Sequence, residues 1–157
     1  MGDGGSMKRT ERLEMVKKVV DDFERRKAEA LAHSERRVAE SEKKLAELEA
    51  YRDSYVREFA VRAQAGMGAA AARDYQAFLG RLDEALHQQG QTVIGTRAQR
   101  DAERQNWQDA AQRAEAIGTT VKRWQSEERY ALERREQIES DERSQRIWAR
   151  GRVTSGA

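Results

Sequence analysis

Apolar residues recur along this chain at alternating intervals of three and four, which places them on one face of a helix. The clearest run begins at Asp74. Tyr75, Phe78 with Leu79, Leu82, Ala85 with Leu86, and Gln89 share a face, widened where two apolar residues stand side by side. The same alternation continues through Val93, Thr96, Arg100, Glu103, Trp107, Ala110, Ala114, Ile117, Val121, Trp124, Glu128, Ala131, Arg135 and Ile138. An earlier seam runs through Leu13, Val16, Val20, Phe23, Lys27, Leu31, Ser34, Val38, Ser41, Leu45, Leu48, Arg52, Tyr55 and Phe59. Two consecutive steps of four between Phe23 and Leu31 predict a stutter there, a local unwinding of a left-handed supercoil.

Between the two seams stands Gln64-Ala65-Gly66-Met67-Gly68-Ala69, whose glycines accept the backbone angles that end a helix and reverse a chain. The pattern therefore predicts an all-α protein, two long helices forming an antiparallel coiled-coil hairpin. Its parts are a disordered leader or tag over 1–7, a helix over 8–63, a turn over 64–73, a helix over 74–150 with Gly151 as its stop, and a flexible tail over 151–157. Gly80, Gly90, Gly95 and Gly118 each weaken the second helix by roughly 1 kcal/mol relative to alanine and make bending near Gly90 and Gly95 an expectation. Folding at Met67 sets Phe59 against Tyr75, Tyr55 against Leu79, Leu48 against Leu86, Lys27 against Trp107 and Leu13 against Val121. Lys27 on Trp107 is expected as a stem-packing or cation–π contact. The first helix runs out opposite Trp124. The second continues for about 25 residues, some 35–40 Å at the rise of an α-helix, carrying Tyr130, Leu132, Ile138, Ile147 and Trp148.

Composition agrees with seams rather than a globule. Of 157 residues, 37% are charged, 6% are aromatic and none is proline. So little apolar material fills a seam that needs two positions in seven better than a three-dimensional core. The net charge of +2 lacks the one-sided basic excess of a nucleic-acid binder. No cysteine is available for disulfides or thiolate chemistry. No apolar run reaches the roughly 18 residues of a membrane span, so membrane insertion is not expected.

The candidate chemistry is thin. Glu84-Ala85-Leu86-His87 has the Glu-x-x-His step of carboxylate-bridged metal bundles, but in one copy and without the other carboxylates. His33 and His87 fall too far apart on the predicted hairpin to share a metal. No catalytic residue, metal ligand or cofactor is therefore expected, and a two-helix hairpin lacks a cleft in which to desolvate a catalytic group. Arg25-Arg26-Lys27, Arg36-Arg37 and Arg134-Arg135 have acids close by. They read as solvated coiled-coil surface, with an ion-pairing surface for an acidic protein partner as the alternative.

Taken together, Leu48-x-x-Tyr51-x-x-x-Tyr55, the glycine turn, Asp74-Tyr75-Gln76-x-Phe78-Leu79-x-x-Leu82-x-x-Ala85-x-x-Gln88-Gln89, Trp107 and Glu133-Arg134-Arg135-Glu136-Gln137 resemble the FliJ family of the flagellar type III export apparatus. The resemblance spans most of residues 8–150. It implies a two-helix coiled coil like the stalk of rotary ATPases, at the cytoplasmic face of the flagellar basal body. It further implies a protein that binds the hexameric export ATPase FliI, promotes its assembly, touches the export gate protein FlhA, and takes part in escorting export chaperones. The family's gate-binding face maps here to Phe78, Leu82, Ala85 and Gln89; one branch of the family has His where this chain has Gln89. The ATPase-facing end maps to the start of the first helix and to the overhang with Arg134, Arg135 and Ile138. The alternatives are the equivalent stalk of an injectisome and a self-associating scaffold coiled coil. Against a tight homodimer along the seam stand its polar members Arg52, Arg100 and Glu103.

Overall fold

In a computed structural model, residues 8–155 are described. They form two helices, α1 (Arg9–Ala65) and α2 (Ala69–Ser155), with no strand among them. α1 ends at Gly66, which has φ of 101° and donates its N–H to the Ala63 carbonyl at 3.3 Å. An L side chain is strained at that φ, so this is the one place where the reversal requires glycine. The Ala72 N–H already reaches the Gly68 carbonyl at 3.0 Å, within the first turn of α2.

The turn is therefore shorter than the expected 64–73. Ala69 to Ala72 belong to the helix, as four good helix formers in sequence should. Nor does Gly151 stop α2, which runs on to Ser155. The backbone there takes no positive φ, and a helical glycine costs only about 1 kcal/mol. The expected tail over 151–157 is thus helical as far as Ser155. The expected leader or tag over 1–7 lies outside the described residues. α2 also passes through Gly80, Gly90, Gly95 and Gly118 as one uninterrupted helix.

Contacts divide the chain into two units, Phe23–Ala110 and the pair Met1–Asp22 with Ala111–Ala157. The Phe23–Ala110 unit is an antiparallel hairpin. Beside the turn, Phe59 packs on Tyr75 (ring centroids 5.2 Å apart) and Tyr55 on both Tyr75 (5.0 Å) and Phe78 (4.7 Å). Farther along, Arg52 pairs with Asp83 across the helices, Glu42 with Arg97 at 2.8 Å, and Glu35 with Arg104 at 3.8 Å. Val38, Leu82, Val93 and Ala110 are buried, and so are the polar Ser34, Ser41 and Gln89. The Ser41 and Thr96 hydroxyls lie 2.9 Å apart, and the Gln89 amide donates to the Ser41 carbonyl at 3.0 Å. This polar layer is satisfied, so it costs little and favours one register over its neighbours.

The seam of this unit corrects one expectation. Phe23 is exposed, and Glu24, one residue on, turns inward to accept the Trp107 indole N–H at 2.8 Å. The Lys27 ammonium lies over the Phe23 ring, 5.2 Å from its centroid, while its half-buried stem keeps a place in the seam. From Glu24 through Lys27 to Leu31 the steps are three and four, so no stutter occurs.

In the other unit, Thr10 is buried and hydrogen-bonds Glu128; Glu14 accepts from Gln125 at 2.7 Å. The Arg9 guanidinium stacks on Trp124 at 3.9 Å and reaches Glu127 at 3.4 Å. These pairs also run antiparallel. Val16, expected in the seam, is exposed; Lys17 is half-buried, its stem 3.6 Å from where a Cβ on Gly118 would stand. A glycine opposite a long stem makes the polar residue the better filler there.

Candidate binding surfaces

Two surfaces carry the residues singled out from the sequence. The first lies beside the turn. Tyr75, Phe78, Leu79, Ala85 and Leu86 are half-buried, whereas Leu82 and Gln89 are buried, at 7% and 8% exposure. The four residues Phe78, Leu82, Ala85 and Gln89 thus do not form one open face. Leu82 and Gln89 look into the seam, and Phe78 and Ala85 stand at its edge. Tyr51, 52% exposed, meets the Phe78 ring edge-on at 6.3 Å and extends that edge on α1. Arg81, 5.7 Å from the centroid of Phe78, and Arg62, 5.8 Å from that of Tyr75, flank the rings with positive charge. Burial pushes the Tyr55 hydroxyl pKa up, with the neighbouring Tyr75 and Tyr51 adding to the shift. The hydrogen bond to Asp83, and after it that carboxylate's charge, raises the Arg52 guanidinium pKa and keeps it cationic.

The second surface is α2 beyond Trp124. Every residue from Gln125 to Val153 is exposed, the pairs of Gln125, Glu127 and Glu128 with α1 notwithstanding. Tyr130, Leu132, Ile138, Ile147, Trp148 and Val153 present apolar area to solvent. Arg134 and Arg135 stand among them, and Arg135 lines an open groove with Lys8, Glu128 and Leu132. Exposed apolar groups on a helix without a partner are the mark of a binding segment rather than of a finished fold.

His33 and His87 are both exposed. Among the described residues no group of three His, Asp or Glu side chains could hold a metal, and no helix is long and apolar enough to cross a membrane. The basic residues Arg143, Arg146 and Arg150, also on the overhang, are not adjacent in sequence and show as a group only through their spacing by three and four; Arg152 follows two residues on.

Against models of known families, that of the flagellar FliJ protein matches residues 7–152. The chain belongs to the FliJ family. No curated protein and no solved structure matches it. Membership gives this chain a role connected with flagellar protein export, as a non-catalytic component of that apparatus.

Proposed function

We propose that this FliJ-family chain is a stalk-like coupling protein of flagellar export, acting at the cytoplasmic face of the basal body. The exposed part of α2 enters the hexameric export ATPase FliI and promotes its assembly, with Arg134, Arg135 and Ile138 in contact. The edge beside the turn meets the export gate protein FlhA. In that contact Phe78 and Ala85 touch the partner, and the buried Leu82 and Gln89 hold them in place. An escort role for export chaperones accompanies these two. The observation that carries the reading is the all-exposed helix after Trp124, with its apolar groups set among arginines. Such a helix gains most from a hollow partner that surrounds it.

The test is retention of purified export ATPase on the immobilised full chain, with ATP turnover and ring formation followed alongside. Arg134→Glu with Arg135→Glu is expected to lower retention at least tenfold and abolish stimulation. Wild-type chain that neither retains the ATPase nor alters its turnover sinks the proposal. Phe78→Ala is expected to weaken gate binding and swimming motility while ATPase retention stays intact.

A further inference from the structure

The Phe23–Ala110 hairpin has two long edges where α1 and α2 border each other, and they are built differently. One is closed by ion pairs across the helices, Glu42 with Arg97 at 2.8 Å and, seven residues along each helix, Glu35 with Arg104 at 3.8 Å. The other is marked by the ring contact of Tyr51 with Phe78. Residues seven apart share a helix face. Steps of seven from those rings give Lys44, Arg37, Ala30 and Phe23 on α1, and Ala85, Thr92, Gln99 and Asn106 on α2. Neither series contains an acid. Arg37 and Lys44 enter no ion pair among the described residues, although Glu40 and Glu47 lie only three or four residues from them along α1.

Midway along this second edge, Ser34, Arg37, Thr92, Gly95, Thr96 and Gln99 line an open groove. Gly95 leaves it open: a Cβ there would meet nothing within 4 Å. The floor of the groove needs no further partner. The Ser34 hydroxyl donates to the Leu31 carbonyl at 2.8 Å and the Thr96 hydroxyl to the Val93 carbonyl at 3.0 Å. On the walls, the Thr92 hydroxyl donates to the Gln88 carbonyl at 3.1 Å and the Gln99 amide to Glu103 at 3.1 Å. The bonding capacity left over is that of the Arg37 guanidinium and, one heptad away, of the Lys44 ammonium, about five and three donors. Exposed rings stand at the two ends of the edge, Tyr51 and Phe23. They are separated by 51 − 23 = 28 residues, or about 42 Å of helix. Apolar ends, a side-chain-free gap and unpaired cations at heptad spacing are two sides of a three-helix seam.

We infer that this edge seats a third helix, an acidic amphipathic segment of a partner protein. Carboxylates seven residues apart on that segment meet Arg37 and Lys44. An apolar side chain fills the groove over Gly95, and further apolar groups reach the Tyr51 and Phe23 rings. About four heptads of helix span the edge. A basic segment would set its charge on two cations that have no counterion, and Arg97 and Arg104 on the opposite edge already hold carboxylates. The turn end of the edge is the one assigned above to the export gate. The inference goes beyond that contact, because its cations and groove lie farther along, and either can hold without the other.

The probe is a fluorescein-labelled synthetic helix of about four heptads, with Leu at the two seam positions of each and Glu at the positions flanking them. Its own glutamates keep its copies apart. Fluorescence anisotropy with the full chain is expected to show saturable one-to-one binding at low salt, at least tenfold weaker at about 0.5 M salt, where screening is severalfold stronger. Arg37→Glu with Lys44→Glu, and separately Gly95→Trp, are each expected to weaken binding at least tenfold, with helicity by circular dichroism unchanged. Gly90→Trp sets the same bulk on the ion-paired edge, one heptad from Arg97, where a Cβ also meets nothing within 4 Å; it is expected to leave binding as it is. The chain has no cysteine, so a polarity-sensitive dye on Gln99→Cys reads coverage of the groove. The same dye on Gln91→Cys, on the exposed outer face of α2, is expected to stay silent. Absence of binding to the wild-type chain, equal binding of a peptide with Lys in place of Glu, or binding indifferent to both the charge reversal and Gly95→Trp overturns the inference. No arm uses the gate protein, so a failed gate contact leaves these results standing.

Discussion

At the scale of residues, burial separates Leu82 from Phe78 although both stand on the face assigned to gate binding. Leu82 is enclosed by the seam, so Leu82→Ala removes packing as well as surface; it is expected to cost about 2–4 kcal/mol in urea unfolding. Phe78→Ala leaves a half-exposed site and costs less. A gate-binding defect common to both, with a stability loss in the first alone, would identify Leu82 as a positioning residue. Tyr55 offers a test by pH. Its neutral form is favoured by burial, so its folded pKa lies above the unfolded value of about 10. The stabilisation is then complete below about pH 10 and is lost as pH rises through the folded pKa. Tyr55→Phe has no such proton to lose. Its melting temperature is expected to fall less than that of the wild type between about pH 9 and pH 11.

At the scale of the element, α2 carries both a packed and an unpacked stretch. Each seam residue expected from Tyr75 to Trp124 is buried or half-buried, and none from Gln125 to Val153 is. Amide hydrogen exchange is expected to divide at the same place, with slow exchange across 75–124 and fast exchange across 129–153. Bound ATPase should slow the fast set. The seam of α2 was legible because its members follow threes and fours without a slip, even where they are Arg100 or Glu103. The first third of α1 was less so. Hydrophobicity favours Val16 and Phe23, yet Lys17 and Glu24 take those places. Lys17 fits the space left by Gly118 and also pairs with Asp21 at 2.6 Å; Glu24 has the Trp107 indole to bind. Neither partner is visible until the helices are set side by side. The candidate gate face was legible as a stripe, but which of its members face outward depends on α1, and a one-helix pattern cannot tell.

At the scale of the whole molecule, the described residues have one reversal, and contacts between the two helices can close only after it. Closing a loop costs least when the loop is shortest. The rings of Phe59, Tyr55, Tyr75 and Phe78 all lie within 12 residues of Gly66, whereas Thr10 must find Glu128, 118 positions away. Pairing is therefore expected to start at the rings. Phe59→Ala should slow refolding, with a loss of roughly 2 kcal/mol expressed mainly in that rate. Val121→Ala, buried far from the turn, should lose about 1–2 kcal/mol chiefly through faster unfolding. Stopped-flow chevron plots of the two variants would separate these outcomes.

The single glycine elbow also sets a timetable on the ribosome. The aromatic rings can zip together once Phe78 has emerged, with half of the 157 residues still to follow it out. The first residues of α1 must wait, with their inward-facing side chains wet, until Trp124 and Glu128 have left the tunnel. For that interval the nascent chain offers Leu13 and Val20 to whatever meets them first, and a holdase that covers them would protect the chain until its other arm arrives.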